Sequence, residues 1–177
     1  MEKTHQGHSP ARGHNTRVNL AGGIKWGLIG GLAGTLVMDL LLMGTLSTIG
    51  LPAFTCFSII GDTIAHLLSI SGGETANVIP LGVTAHYLIG PAVGAIFGAA
   101  LARIAAHRVD MPKKSIILAI LYVEILSQPI LAATPIVLKM TASSTLQWFG
   151  ISFVMHLVYG AILGAIVRYG SRLAPQA

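Results

Sequence analysis

The chain has 177 residues, 53% of them hydrophobic and only 10% charged, with 21 glycines and a mean hydropathy of +0.74. That balance excludes an ordinary soluble domain, and the single cysteine, Cys56, excludes an intrachain disulfide or a cysteine-based metal framework. The net charge of +5 lies at the ends of apolar runs and not on an aromatic-interleaved basic face, so the expected partner is the lipid bilayer and not nucleic acid. A span needs about 20 apolar residues, which leaves room for four or five spans and little else.

Residues 1–23 are polar and read as a flexible cytoplasmic tail. His5, His8 and His14 stand there; a solvated segment is the simpler account of them than a loose metal site. The apolar run that follows is too long for a signal peptide, so the tail is expected to stay on the mature protein.

The first predicted span covers about 24–49. Gly23, Gly27 and Gly31 form a row of small residues that Thr35 and Asp39 continue, because residues four apart share a helix face. A carboxylate on that face near mid-membrane is costly unless paired, protonated or hydrated, which makes Asp39 a candidate site residue. Residues 53–70 are apolar but interrupted by Gly61, Asp62 and His66, and predict an outer amphipathic helix, interfacial or re-entrant. Asp62 and His66 are secondary site candidates on its wet edge, and Ser71-Gly72-Gly73 ends it by turn chemistry.

The second span, about 80–105, carries His86 with Gly90, Gly94 and Gly98 at successive four-residue steps, and Pro91 is expected to kink it. The third, about 114–138, holds Glu124 and Gln128. The fourth, about 146–169, repeats the second with His156, Gly160 and Gly164, and residues 171–177 form a second cytoplasmic tail. Four basic residues lie before or at the start of span one (Lys3, Arg12, Arg17, Lys25) and four at or between the facing ends of spans two and three (Arg103, Arg108, Lys113, Lys114). Two more lie at or beyond the end of span four (Arg168, Arg172), whereas only Lys139 falls on the other side. By the positive-inside rule both termini are cytoplasmic.

The two histidine segments agree at five of eleven positions, His86 to Ile96 against His156 to Ile166. Leu36 to Leu41 also aligns without gaps to Leu121 to Leu126, which places Asp39 on Glu124. The expected fold is therefore an all-α integral membrane protein, with four transmembrane helices as two repeated helical hairpins plus one interfacial or re-entrant helix. Each hairpin supplies one carboxylate and one histidine.

Two functional expectations follow. The first is a non-enzymatic homo-oligomer, or an accessory subunit of a membrane complex, packing through Gly27, Gly31, Gly90, Gly94, Gly98, Gly160 and Gly164. The alternative is an intramembrane site on Asp39, His86, Glu124 and His156. Such a set suits a divalent metal, a haem held by the two histidines, or proton and ion passage. No nucleophile elbow, P-loop or dinucleotide fingerprint is present, which leans away from an enzyme.

The Gly30-x-x-Ala33-Gly34-x-x-x-Met38-Asp39 stretch and the His-x-x-x-Gly helices resemble small, glycine-rich, four-span inner-membrane proteins of unknown function, including the YagU type. That resemblance implies a bacterial or archaeal cytoplasmic membrane and the four-span fold, and assigns no residue a role.

Overall fold

The computed structural model describes residues 19–68, 78–107 and 114–173. They form five helices and no strand: α1 (Leu20–Thr48), α2 (Thr55–Leu67), α3 (Val78–His107), α4 (Ser115–Val137) and α5 (Ala142–Leu173). Four of them, all but α2, are long and apolar enough to cross a membrane. The protein is an all-helical, multi-pass membrane protein by that measure.

Helices α1, α3 and α5 overrun the expected limits, whereas α2 and α4 fall just inside theirs. α1 starts at Leu20, inside the expected tail, because Asn19 caps it by accepting a hydrogen bond from Gly22 N at 2.8 Å. α5 likewise runs on to Leu173. α1 and α4 end alike, in a left-handed residue with the two reversed hydrogen bonds of a Schellman turn. At α1 these are Leu51 N to Leu46 O (2.9 Å) and Gly50 N to Ser47 O (3.2 Å), with Gly50 at φ +77°. At α4 they are Met140 N to Pro135 O (3.0 Å) and Lys139 N to Ile136 O (3.4 Å), with Lys139 at φ 50°. α3 continues through Pro91 as one helix. The His5, His8 and His14 tail, the Ser71-Gly72-Gly73 turn and residues 174–177 lie outside the described residues.

α1 is the central helix, packed against α3 on one side and α5 on the other, and α5 in turn packs on α4. Glycine decides how close these pairs come. A Cβ at Gly27 would strike Gly94 O, one at Gly31 would strike Gly90 O, and one at Gly23 would strike Gly98 O, so the α1–α3 seam is backbone against backbone. On α5, Gly160 lies against Ile120 and Gly164 against Ile116 of α4, while Gly30 and Gly34 of α1 receive Leu163 and Tyr159. Side-chain dispersion and close backbone contact hold such helices together where lipid offers no hydrophobic drive.

The remaining pair, α3 and α4, barely touch. The rings of Phe97 and Tyr122, 5.4 Å between centroids, stand between them, and Tyr122 donates to Val93 O at 3.2 Å. α2 wedges into the rest of that gap. It lies against α3 where Gly61 meets Val78 and Gly82 meets Phe57, and reaches α4 where Thr63 donates to Thr134 Oγ1 at 3.2 Å. The bundle is thus zipped by glycine at the end holding the start of α1 and the end of α3. At the opposite end it splays around a cavity.

Candidate functional site

The site grows out of the α1–α3 seam. Going up that seam, the small residues of α1 are Gly23, Gly27, Gly31 and Thr35, and those of α3 are Gly98, Gly94 and Gly90. The next pair by helical spacing is Asp39 and His86. They meet: His86 Nε2 lies 3.2 Å from Asp39 Oδ1, an ion-pair contact whose alignment falls short of a hydrogen bond. Asp39 is only 4% exposed, and its Oδ2 is buried with no hydrogen-bond partner. The Phe57 ring of α2 covers His86 edge-on at 5.7 Å between centroids, and the Tyr87 hydroxyl lies near enough to Asp39 to interact with it. Thr35 turns its own hydroxyl back to Gly31 O at 2.9 Å and so brings no unmet demand to the seam.

Above the zipped half lies a cavity of about 420 Å³ reached by residues of all five helices. His86 and His156 both line it, with Cys56, Ser127, Gln147 and Ser152 among its polar groups and aliphatic side chains making up most of the rest. Tyr159 closes the floor by donating to Gly90 O at 2.5 Å, which ties α5 to α3 across α1. His156 Nδ1 is a buried atom without a partner. The Cys56 thiol, on α2 and outside the four spans, is pushed up to about 12 by burial first and by the negative charge of Asp39 second.

Of the four expected site residues the structure joins two, Asp39 and His86, and sets a third, His156, on the same cavity. Glu124 does not line that cavity; it is half-buried, with Oε1 buried and unpartnered. Its neighbour Gln128 donates to the Glu124 backbone carbonyl at 3.0 Å and leaves the carboxylate alone. Among the described residues no three His, Cys, Asp or Glu side chains are arranged to hold a metal ion. The secondary pair on α2 is a local bond only: the exposed His66 ring contacts the Asp62 backbone carbonyl at 2.8 Å, not its carboxylate.

The seven packing glycines all face helices of this same chain. Sequence reasoning passed over Tyr122 and Tyr159, whose hydroxyls anchor α4 and α5 on α3 carbonyls. The signal was there, since a tyrosine within a span needs a partner for its hydroxyl. It also passed over Cys56 as a wall of the cavity.

Known proteins add nothing to this. No family model, no curated protein and no solved structure matches the chain.

Proposed function

We propose that this multi-pass membrane protein is an intramembrane binding protein, whose cavity takes up a small hydrogen-bonding molecule against His86 and His156. The observation that carries this is the buried Asp39–His86 pair, whose histidine lines the cavity. A carboxylate buried in an apolar bundle is expensive, and a seam built only to pack would keep to the glycines that fill its lower half. The cavity volume is within the range of small-molecule sites, and its mix of apolar walls with a few convergent polar groups is the usual one. The oligomer or accessory-subunit expectation has lost its observation, because the glycine stripes are spent within the chain.

The same proposal includes an internal duplication. The spacing that carries Asp39 to Glu124 also carries Gly31 to Ile116 and Thr35 to Ile120. The spacing that carries His86 to His156 carries Gly90 to Gly160 and Gly94 to Gly164. Under it the Gly90–Thr35 and Gly94–Gly31 contacts become Gly160–Ile120 and Gly164–Ile116, and all four are present. The two halves differ where function needs them to. Gly30 and Gly34 let α1 close on α5, but the corresponding pair α4 and α3 is held apart by Tyr122 and Phe97, and α2 has no counterpart in the second half. The cavity lies in that asymmetry.

Both termini belong on the cytoplasmic side under this proposal. Lys25, Arg103, Lys114 and Arg168 stand at the glycine-zipped end and Lys139 at the other, so the cavity occupies the outer half and α2 is a re-entrant helix. A bacterial or archaeal inner membrane of the kind housing YagU-type proteins is the proposed setting.

Native mass spectrometry of the chain released from nanodiscs tests the binding role whatever the chemical identity of the ligand. One small molecule per chain is expected on the wild type, lost in Val93→Trp, which fills the cavity, at unchanged helix content by circular dichroism. No adduct on the wild type, or equal occupancy in both proteins, would refute the proposal.

A further inference from the structure

Resting on that reading of the cavity, we infer that its occupant is a neutral single-chain lipid with a hydroxyl-bearing head, which enters from the bilayer between α3 and α4. The entry route comes from the weakest seam in the bundle. It is tied at one end by Tyr122 on Val93 O and at the other, through α2, by Thr63 on Thr134. Between these ties Ile89 of α3 and Leu126 and Ile130 of α4 line the cavity, yet they are 58%, 47% and 42% exposed. Side chains that belong both to the cavity wall and to the outer surface mark an opening. All three are aliphatic on membrane-crossing helices, so this opening leads to acyl chains. A second one at the end of α1 and the start of α5, where exposed Leu51, Ser144 and Gln147 also line the cavity, leads to the polar edge of the bilayer.

Size selects a single chain. A cavity of about 420 Å³ lies toward the lower end of small-molecule sites, which suits a compact head with one chain and not a two-chain lipid. Charge selects a neutral head. No Lys, Arg, Asp or Glu lines the cavity among the described residues, and Asp39 stands behind His86. A phosphate or carboxylate head would lose its hydration there with no cation to meet it.

Hydrogen bonding selects a hydroxyl. His156 lines the cavity while its Nδ1 is enclosed and without a partner, so a ligand hydroxyl meets that nitrogen only when the ring turns to face it. A neutral imidazole nitrogen donates in one tautomer and accepts in the other. A hydroxyl meets either demand, whereas a carbonyl meets only one. Ser127, Gln147 and Ser152 line the same space and can meet a second hydroxyl, as a glycerol head would present.

The test uses the full chain in phosphatidylcholine nanodiscs with a trace of a monoacylglycerol carrying a photoreactive diazirine in its acyl chain. Labelling is expected to saturate, to map to the α3–α4 seam around Ile89 and Ile130, and to be competed by unlabelled monoolein but not by oleate. His156→Phe is expected to weaken it about fivefold, the worth of one hydrogen bond. If that variant fails to fold, Ile89→Trp, on the exposed rim, is expected to block labelling instead. Labelling spread evenly over the lipid-facing surface, or equal competition by oleate, would overturn the inference. If the native mass spectrum still shows an adduct lost in Val93→Trp, only the ligand class has failed; if that adduct is absent too, the binding role fails with it.

Discussion

Replacing Gly94 by alanine probes the seam from which the site is suspended. A Cβ there would run into Gly27 O and stand 2.8 Å from Gly31 Cα and 2.9 Å from Gly31 N. Carbon atoms are comfortable at about 3.5 to 4.0 Å, so α1 and α3 must part by about 1 Å at this level. Nothing in the collision is a flexible side chain; every atom met is backbone, and helix backbone yields only by moving the helix. Overpacking of this kind costs about 1–3 kcal/mol. The substitution also brings a helix-propensity gain of up to about 1 kcal/mol, which masks part of the loss. Gly44→Ala supplies the control, because nothing lies within 4 Å of a Cβ at Gly44 on the same apolar α1. The difference between the two variants isolates the clash. Unfolding followed by circular dichroism during titration with SDS is expected to show Gly94→Ala less stable than Gly44→Ala by about 1–3 kcal/mol. The same 1 Å parting lengthens the Asp39–His86 contact two turns away, so retention of the cavity ligand should fall as well. Coincident unfolding curves for the two variants would refute the close-packed seam.

The carboxylates are expected to behave unequally despite their alignment. Asp39→Ala strips His86 of its partner in a buried site and should cost about 1–3 kcal/mol, whereas Glu124→Ala, at a half-buried position with no side-chain partner, should stay within about 0.5 kcal/mol; SDS titration of both variants checks this. Cys56, with its thiol pushed up to about 12, is roughly one part in 10⁴ thiolate at pH 8, so iodoacetamide should modify it far more slowly in the folded chain than after SDS unfolding. Rapid alkylation of the folded protein at pH 8 would contradict the burial. The sign of its linkage follows: the raised folded value favours the neutral thiol, so this contribution to stability is complete below pH 9 and drains away as pH rises toward 12, a loss that Cys56→Ala should remove from the alkaline limb of the unfolding profile. Lys139→Gly relieves a left-handed backbone at φ 50° and should stabilise the chain by about 0.5–1 kcal/mol in the same SDS titration, while Gly50→Ala, at φ +77°, should do the reverse.

That four helices would be long and apolar enough to cross a membrane was legible in the chain, because lipid imposes one simple demand, a run of apolar residues long enough to bury every backbone polar group. The Gly27–Gly31 and Gly90–Gly94–Gly98 rows were legible as packing faces for a similar reason, since a four-residue period survives in one dimension. Which surface those faces would meet was not legible. A glycine stripe has the same sequence whether it receives a second copy or a neighbouring helix, and only the tertiary structure turned all seven glycines inward. The candidate site divides on the same ground. Asp39 and His86 were found because each extends a glycine row, and the rows pair, so the residues at their ends had to come together. His156 extends the Gly160–Gly164 row, but that row meets Ile120 and Ile116 of α4 and not glycine; His156 and Glu124 form no such pair, and Glu124 stays off the cavity. What decided the cavity was bulk at a distance in sequence. Phe97 and Tyr122 hold α3 from α4 where Gly30 and Gly34 let α1 meet α5, and α2 enters the space they keep open. Periodicity along one helix determines which residues share a face; the separation between two faces is set by side chains on both, and that product exists only in the folded chain.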